Sequence, residues 1–194
     1  MKISCLIIVL LVGTLISASG EDRDPLVLIK TELGNIEVEI FQDKAPVSAG
    51  NFLKYVDQGI YKNSSFYRTV TLNNQPDNDV KIEVIQGGLF DKSEKYLPIK
   101  HETTKETGIL HKDGTISYAR NEPGTANTEF FICVGDQPEL DYGGRRNPDR
   151  QGFAAFGRVI KGMDVVRKIH IKPADGQMLK PRIKIYNIER IKHG

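Results

Sequence analysis

Residues 114–136 read GTISYARNEPGTANTEFFICVGD, and this stretch decides the fold. Ile116-Ser117-Tyr118-Ala119 is β-prone, and Asn121 to Asn127 interrupt any regular pattern with polar residues, Pro123 and Gly124. Glu129-Phe130-Phe131-Ile132-Cys133-Val134 then forms an apolar run of strand character. Side chains alternate across a strand, so Glu129, Phe131 and Cys133 share one face, and Phe130, Ile132 and Val134 the other. Two faces that are both largely apolar predict a strand covered on both sides, as in a closed sheet. A polar loop feeding such a strand is suited to a binding lip beside a rigid wall.

Working outward, Ser65-Phe66-Tyr67-Arg68-Thr69-Val70 and Ile85-Gln86-Gly87-Gly88 lie upstream. Leu140-Asp141 and Phe153-Ala154-Ala155-Phe156-Gly157-Arg158-Val159 lie downstream. These blocks, in this order, resemble the cyclophilin family of peptidyl-prolyl cis/trans isomerases, from about Leu26 to about Ile191.

The first twenty residues, MKISCLIIVLLVGTLISASG, combine Lys2, an apolar run from Ile3 to Ile16, and the small residues Ser17-Ala18-Ser19-Gly20. That order predicts a cleaved signal peptide over 1–20 and one domain over 21–194, exported to a periplasm or secreted. No membrane attachment is expected after cleavage, because the run is shorter than the ~18–20 residues of a spanning helix. The 27 basic and 25 acidic side chains leave a net charge of +2, with no basic patch that calls for nucleic acid. Arg145-Arg146, followed by Asn147-Pro148-Asp149, reads as a solvated turn. Past the leader only Cys133 remains, so no internal disulfide can form; its place in an apolar strand suits a buried, inert thiol.

Leu26–Thr31 and Ile36–Ile40 read as a hairpin, with Ile36, Val38 and Ile40 inward and Glu37 and Glu39 outward. Pro46 opens a helix that Gly59 stops, with Val47, Phe52, Leu53 and Val56 as its apolar stripe. A second helix follows Gly162, burying Met163, Val166 and Ile169. The last strand, Arg182 to Ile191, shifts its apolar phase between Ile185 and Ile188, as a β-bulge would make it do. Alternation puts Phe66, Arg68 and Val70 on one face. Thr71–Val80, rich in Asn, Asp and Pro, reads as a surface loop. His101 and Glu102 invite a metal or acid/base reading, but no second ligand has the right spacing, and His111 and His170 are isolated; no metal is expected. Strands dominate, giving a closed antiparallel barrel; the resemblance specifies eight strands with a helix over each end.

The resemblance also implies roles. Arg68 is the catalytic arginine and Gln86 orients it or grips substrate backbone, with no cofactor needed. Phe131, Leu140 and Val84 line the proline pocket, and the Ala119-Arg120-Asn121 backbone pairs with the residue before proline. Glu129 stands where eukaryotic members carry glutamine, and is expected to pair with Arg68 or Arg120. Glu139 takes the place of a rim tryptophan. Phe153 replaces a common histidine, as in the bacterial exported branch. The insert Thr71–Val80 and a Glu83-Val84 pair in place of Phe-Met are further departures. The expected partners are proline-containing peptides and unfolded clients, met by a monomeric folding catalyst. A cyclophilin-shaped peptide-binding or holdase module with little turnover is the alternative, motivated by Glu83 and the insert.

Overall fold

Residues 24–193 are described by a computed structural model; the expected signal peptide lies outside them. Nine antiparallel strands form one sheet. They are β1 (Leu26–Thr31), β2 (Gly34–Ile40), β3 (Ser64–Val70), β4 (Val84–Gly88), β5 (Thr115–Tyr118), β6 (Phe130–Cys133), β7 (Ala154–Lys161), β8 (Ala174–Asp175) and β9 (Met178–Ile191). Eight of them close a barrel in the order β1-β2-β7-β5-β6-β4-β3-β9, with β9 pairing back onto β1. The two-residue β8 pairs only with β9.

The barrel interior is filled as the alternation of the strands dictates. Ile36, Val38 and Ile40 of β2 point inward, as do Phe130 and Ile132 of β6, and all are buried in one cluster. Phe131 and Cys133 face outward into a second, smaller cluster with Val70, Ile82, Val84 and Leu140. Both faces of β6 are therefore covered, and burial pushes the Cys133 thiol pKa up. The predicted bulge in β9 falls at Tyr186: Lys30 pairs with Asn187 and Thr31 with Ile185, leaving Tyr186 outside the ladder.

Two helices close opposite ends. α1 (Pro46–Asp57) has Pro46 in its first turn and inserts Phe52 among Tyr61, Phe130 and Phe156. Its first turn has no side-chain cap of its own. Glu102 supplies one from far along the chain, accepting from Val47 N (3.1 Å) and Ser48 N (2.7 Å). A carboxylate there satisfies orphan N–H groups and complements the helix dipole, so the acidic member of the His101–Glu102 pair is structural. α3 (Met163–His170) covers the other end, burying Val166 and Ile169. A third helix, α2 (Thr104–Thr107), is a single turn closed by a Thr103–Glu106 capping box.

The alternation expected of β3 is corrected. Phe66 pairs with Gly87 and Arg68 with Gln86, so Tyr67 is an extra residue in the ladder. This bulge flips the phase: Phe66 packs inside the barrel against Phe130, whereas Val70 belongs to the outer cluster and Arg68 lines a cavity beside it. A bulge re-aims side chains in this way, and here it carries the strand's charge out of the core.

Candidate active site

Outside β6, β4 and β3 lies a cavity of about 580 Å³. All ten residues singled out from the sequence line it: Arg68, Val84, Gln86, Ala119, Arg120, Asn121, Glu129, Phe131, Leu140 and Phe153. Its apolar floor is Phe131, Leu140 and Val84, with Ile82 extending the wall beside Val84. Glu83 faces away, its carboxylate 3.9 Å from His170 Nε2.

Arg68 is half-buried and held by two neutral side chains. Nη1 donates to Gln86 Oε1 (2.7 Å), while Nε (2.9 Å) and Nη2 (2.5 Å) both donate to Gln177 Oε1. Burial lowers its pKa, yet a guanidinium stays charged at any physiological pH. Gln86 is fixed at its other end, donating from Nε2 to the Tyr67 hydroxyl (2.6 Å), which donates to Glu129 Oε2 (2.6 Å). The other Glu129 oxygen accepts from Leu89 N (2.8 Å), Phe90 N (3.1 Å) and Thr128 Oγ1 (3.0 Å). Gly88 leaves room for this: a Cβ there would sit 2.6 Å from the Glu129 carboxylate oxygens.

One expectation is corrected here. Glu129 pairs with neither arginine; the backbone donors after Gly88 and the Tyr67 hydroxyl saturate it first. Arg120 instead forms a bidentate pair with Asp149 (2.8 and 2.9 Å), donates to Gly152 O, and lays its guanidinium 5.1 Å from the Phe153 ring centre. In the Ala119-Arg120-Asn121 segment, Ala119 N donates to Glu129 O (2.8 Å) and Asn121 N to Thr125 Oγ1 (3.1 Å), so among its N–H groups that of Arg120 is the one without a partner in the described residues.

Sequence reasoning missed a brace behind Phe131. His111 stacks on its ring (5.8 Å, 16°), takes Asp141 Oδ1 at Nδ1 (2.8 Å) and Ser117 Oγ at Nε2 (3.0 Å). Phe153 meets Phe131 edge-on at 5.3 Å. A serine, histidine and aspartate in sequence of contact suggest nucleophilic chemistry, but Ser117 is 0% and His111 1% exposed behind Phe131. No substrate reaches them, and they fix the pocket wall. The Thr71–Val80 insert is a surface loop, as expected, but it also bonds inward. Gln75, 2% exposed, bonds Thr71 O (2.7 Å) and Ile82 O (2.8 Å). Asn74 ties Thr69 O (3.0 Å) to Gly176 O (3.1 Å), and its own carbonyl accepts from Gln177 Nε2 (3.1 Å). Polar composition alone cannot separate side chains that bond to water from side chains that bond to backbone.

Burial raises the Glu129 carboxyl pKa, outweighing the hydrogen bonds from Tyr67, Thr128, Leu89 and Phe90 that lower it. A carboxyl with a folded pKa above its unfolded value costs stability when ionised. That cost is full above the folded pKa and is relieved as pH falls through it. Chemical denaturation of the wild type and Glu129→Gln should therefore show their stability difference moving in favour of the wild type as pH falls from about 7 to about 4. A difference independent of pH over that range would contradict the burial argument.

The comparisons with known proteins agree with this geometry. The family model "Cyclophilin type peptidyl-prolyl cis-trans isomerase/CLD" matches residues 26–190. A peptidyl-prolyl cis-trans isomerase of Acinetobacter baylyi is 39% identical over 166 residues, covering 83% of this chain and 79% of the relative. Peptidyl-prolyl cis-trans isomerase B of Escherichia coli is 36% identical over 149 residues, covering 74% and 83%. A Cryptosporidium parvum cyclophilin-type structure, 22% identical, superposes with a TM-score of 0.70 over 88% of this chain and 99% of its own, which shows the shared fold. The chain belongs to the cyclophilin-type peptidyl-prolyl cis-trans isomerase family.

Proposed function

We propose that this family's reaction is performed here by Arg68, acting on a proline seated over Phe131, Leu140 and Val84. Rotation about an X–Pro amide must break partial double-bond character, a barrier of ~18–20 kcal/mol. As the amide twists, the prolyl nitrogen becomes pyramidal and its lone pair localises. A donor aimed at it then binds the twisted state better than the planar one. No nucleophile or metal is required. The observation that carries this reading is the way Arg68 is held: three of its N–H bonds go to neutral glutamine oxygens, and among the described residues no carboxylate pairs with it. A guanidinium has about five N–H donors, so its charge and the donors left over remain for the substrate.

Gln86 and Gln177 orient Arg68, the Arg120 backbone grips the residue before proline, and Phe153 closes the ring pocket against Phe131. Ala119, Asn121 and Glu129 complete the groove wall. A protease-coupled or direct assay of a short X–Pro peptide tests the activity.

The setting we propose is export: a monomeric folding catalyst working in a periplasm or outside the cell, on proline-containing segments of unfolded proteins. What supports it is the leader-like order of charge, apolar run and small residues over 1–20. Among the described residues no helix is long and apolar enough to cross a membrane. Mass spectrometry of the protein from its native host should find a chain starting near Glu21. An intact N-terminus on a cytoplasmic species would refute export.

A further inference from the structure

We infer that the groove holds a subsite for the carboxylate of the residue that follows the proline, built by Arg146 together with Arg68. The inference rests on the isomerase reading and names a substrate preference within it. Arg145 and Arg146 look alike in sequence, yet they part company in the fold. Arg145 is exposed and pairs with Glu139 (2.9 Å). Arg146 is half-buried, lines the same cavity as Arg68, and has no carboxylate partner among the described residues. Its Nη1 donates to Gln75 Oε1 (2.8 Å) and Val80 O (2.6 Å), both neutral acceptors in or at the end of the insert.

The insert thus holds both cations: Arg146 directly through Gln75, and Arg68 through Gln177, which donates to Asn74 O. Burial, and next the charge of Arg68, make the Arg146 guanidinium less favourable, so the two like charges are close enough to feel each other. Asn147, also lining the cavity, has a shielded Nδ2 with no acceptor among the described residues. Two unneutralised guanidiniums and an idle amide donor on one flank suit an anionic acceptor.

Topology says which substrate residue meets them. The wall runs from Ala119 at the end of β5, through Phe131 on β6 and Val84 and Gln86 on β4, to Arg68 on β3. A peptide held before its proline by the Arg120 backbone, with the ring over Phe131, leaves across β3 toward the insert. The other cavity charges do not cancel the effect. Arg120 is neutralised by Asp149, Glu129 is saturated by its four donors, and Glu94 stands with Ser93, whose carbonyl Asn127 contacts on the far flank.

The test uses three proline peptides that differ only in the following residue, Glu, Gln or Lys. Their kcat/KM values and, by fluorescence titration, their Kd values are measured for the wild type, Arg146→Gln and Arg146→Lys. The wild type should favour the Glu peptide over the Lys peptide by about tenfold at low salt, with Gln between and added salt shrinking the ratio. Arg146→Gln should bring the ratio close to one, and Arg146→Lys should keep most of it. Should Arg146→Gln fail to fold, the wild-type ratio, its salt dependence and Arg146→Lys decide. Equal handling of Glu and Lys peptides by the wild type, or a ratio that survives in Arg146→Gln, would overturn the subsite. Failure to turn over even the Gln peptide would sink the isomerase reading instead, and the Kd ratios would then judge the subsite alone.

Discussion

Arg68→Ala should lower kcat/KM for a proline peptide by about 30- to 1,000-fold, the effect of removing one preorganised donor, ~2–4 kcal/mol, from a transition state. The fold should survive. Arg68 is half-buried at the cavity wall rather than inside the barrel, and of the two oxygens it leaves behind, that of Gln86 lines the same cavity while Gln177 is only partly buried. Arg68→Lys should recover only part of the loss. A lysine keeps the charge but cannot bond two glutamines and still present donors in a fixed plane. Circular dichroism and thermal melting separate lost chemistry from lost structure, and a folded Arg68→Ala protein with wild-type turnover would remove Arg68 from the mechanism.

Phe130→Ala should cost about 3–5 kcal/mol of folding stability, the range for deleting a buried aromatic ring. Phe130 is 0% exposed and meets Phe52, Tyr61 and Phe66 edge-on at 5.7, 5.7 and 5.8 Å. It therefore joins the α1 plug to β3 and β6, and no neighbouring side chain can collapse into the space without leaving its own contacts. Denaturant titration measures the loss. A change below about 1 kcal/mol would mean that Phe130 is not the centre of the core.

The contrast between Phe130 and its neighbour Phe131 was legible in the sequence, because strand alternation is a local rule. So were the β1–β2 hairpin and the bulge near the end of β9, where the apolar phase of Ile185 and Ile188 slips by one. The bulge at Tyr67 was hidden: Phe66, Tyr67 and Val70 suit an apolar face in either phase, so the pattern around Arg68 could not register an extra residue. Long-range hydrogen bonds were hidden for a different reason. Arg68 reaches Gln177, Arg146 reaches Gln75 and Glu102 reaches the first turn of α1 across many intervening residues, and no periodicity marks such partners. The same limit explains the misassigned partner of Glu129. The resemblance puts Arg68 and Arg120 in the same groove as Glu129 but does not show the Leu89 and Phe90 N–H groups that the turn after Gly88 directs at its carboxylate. The ten site residues came together because family blocks identify them one by one; the side chains that hold them in place had to be found in space.

Catalysis by Arg68 is tested most directly by the relaxation of a short X–Pro peptide toward its cis/trans equilibrium with the wild-type protein present in catalytic amount. Unassisted, that relaxation takes tens to hundreds of seconds. The rate should rise in proportion to protein concentration and fall back toward the uncatalysed value when Arg68→Ala replaces the wild type. Peptide that binds the groove while its relaxation stays at the uncatalysed rate would contradict it, and would make the protein a peptide-holding module instead.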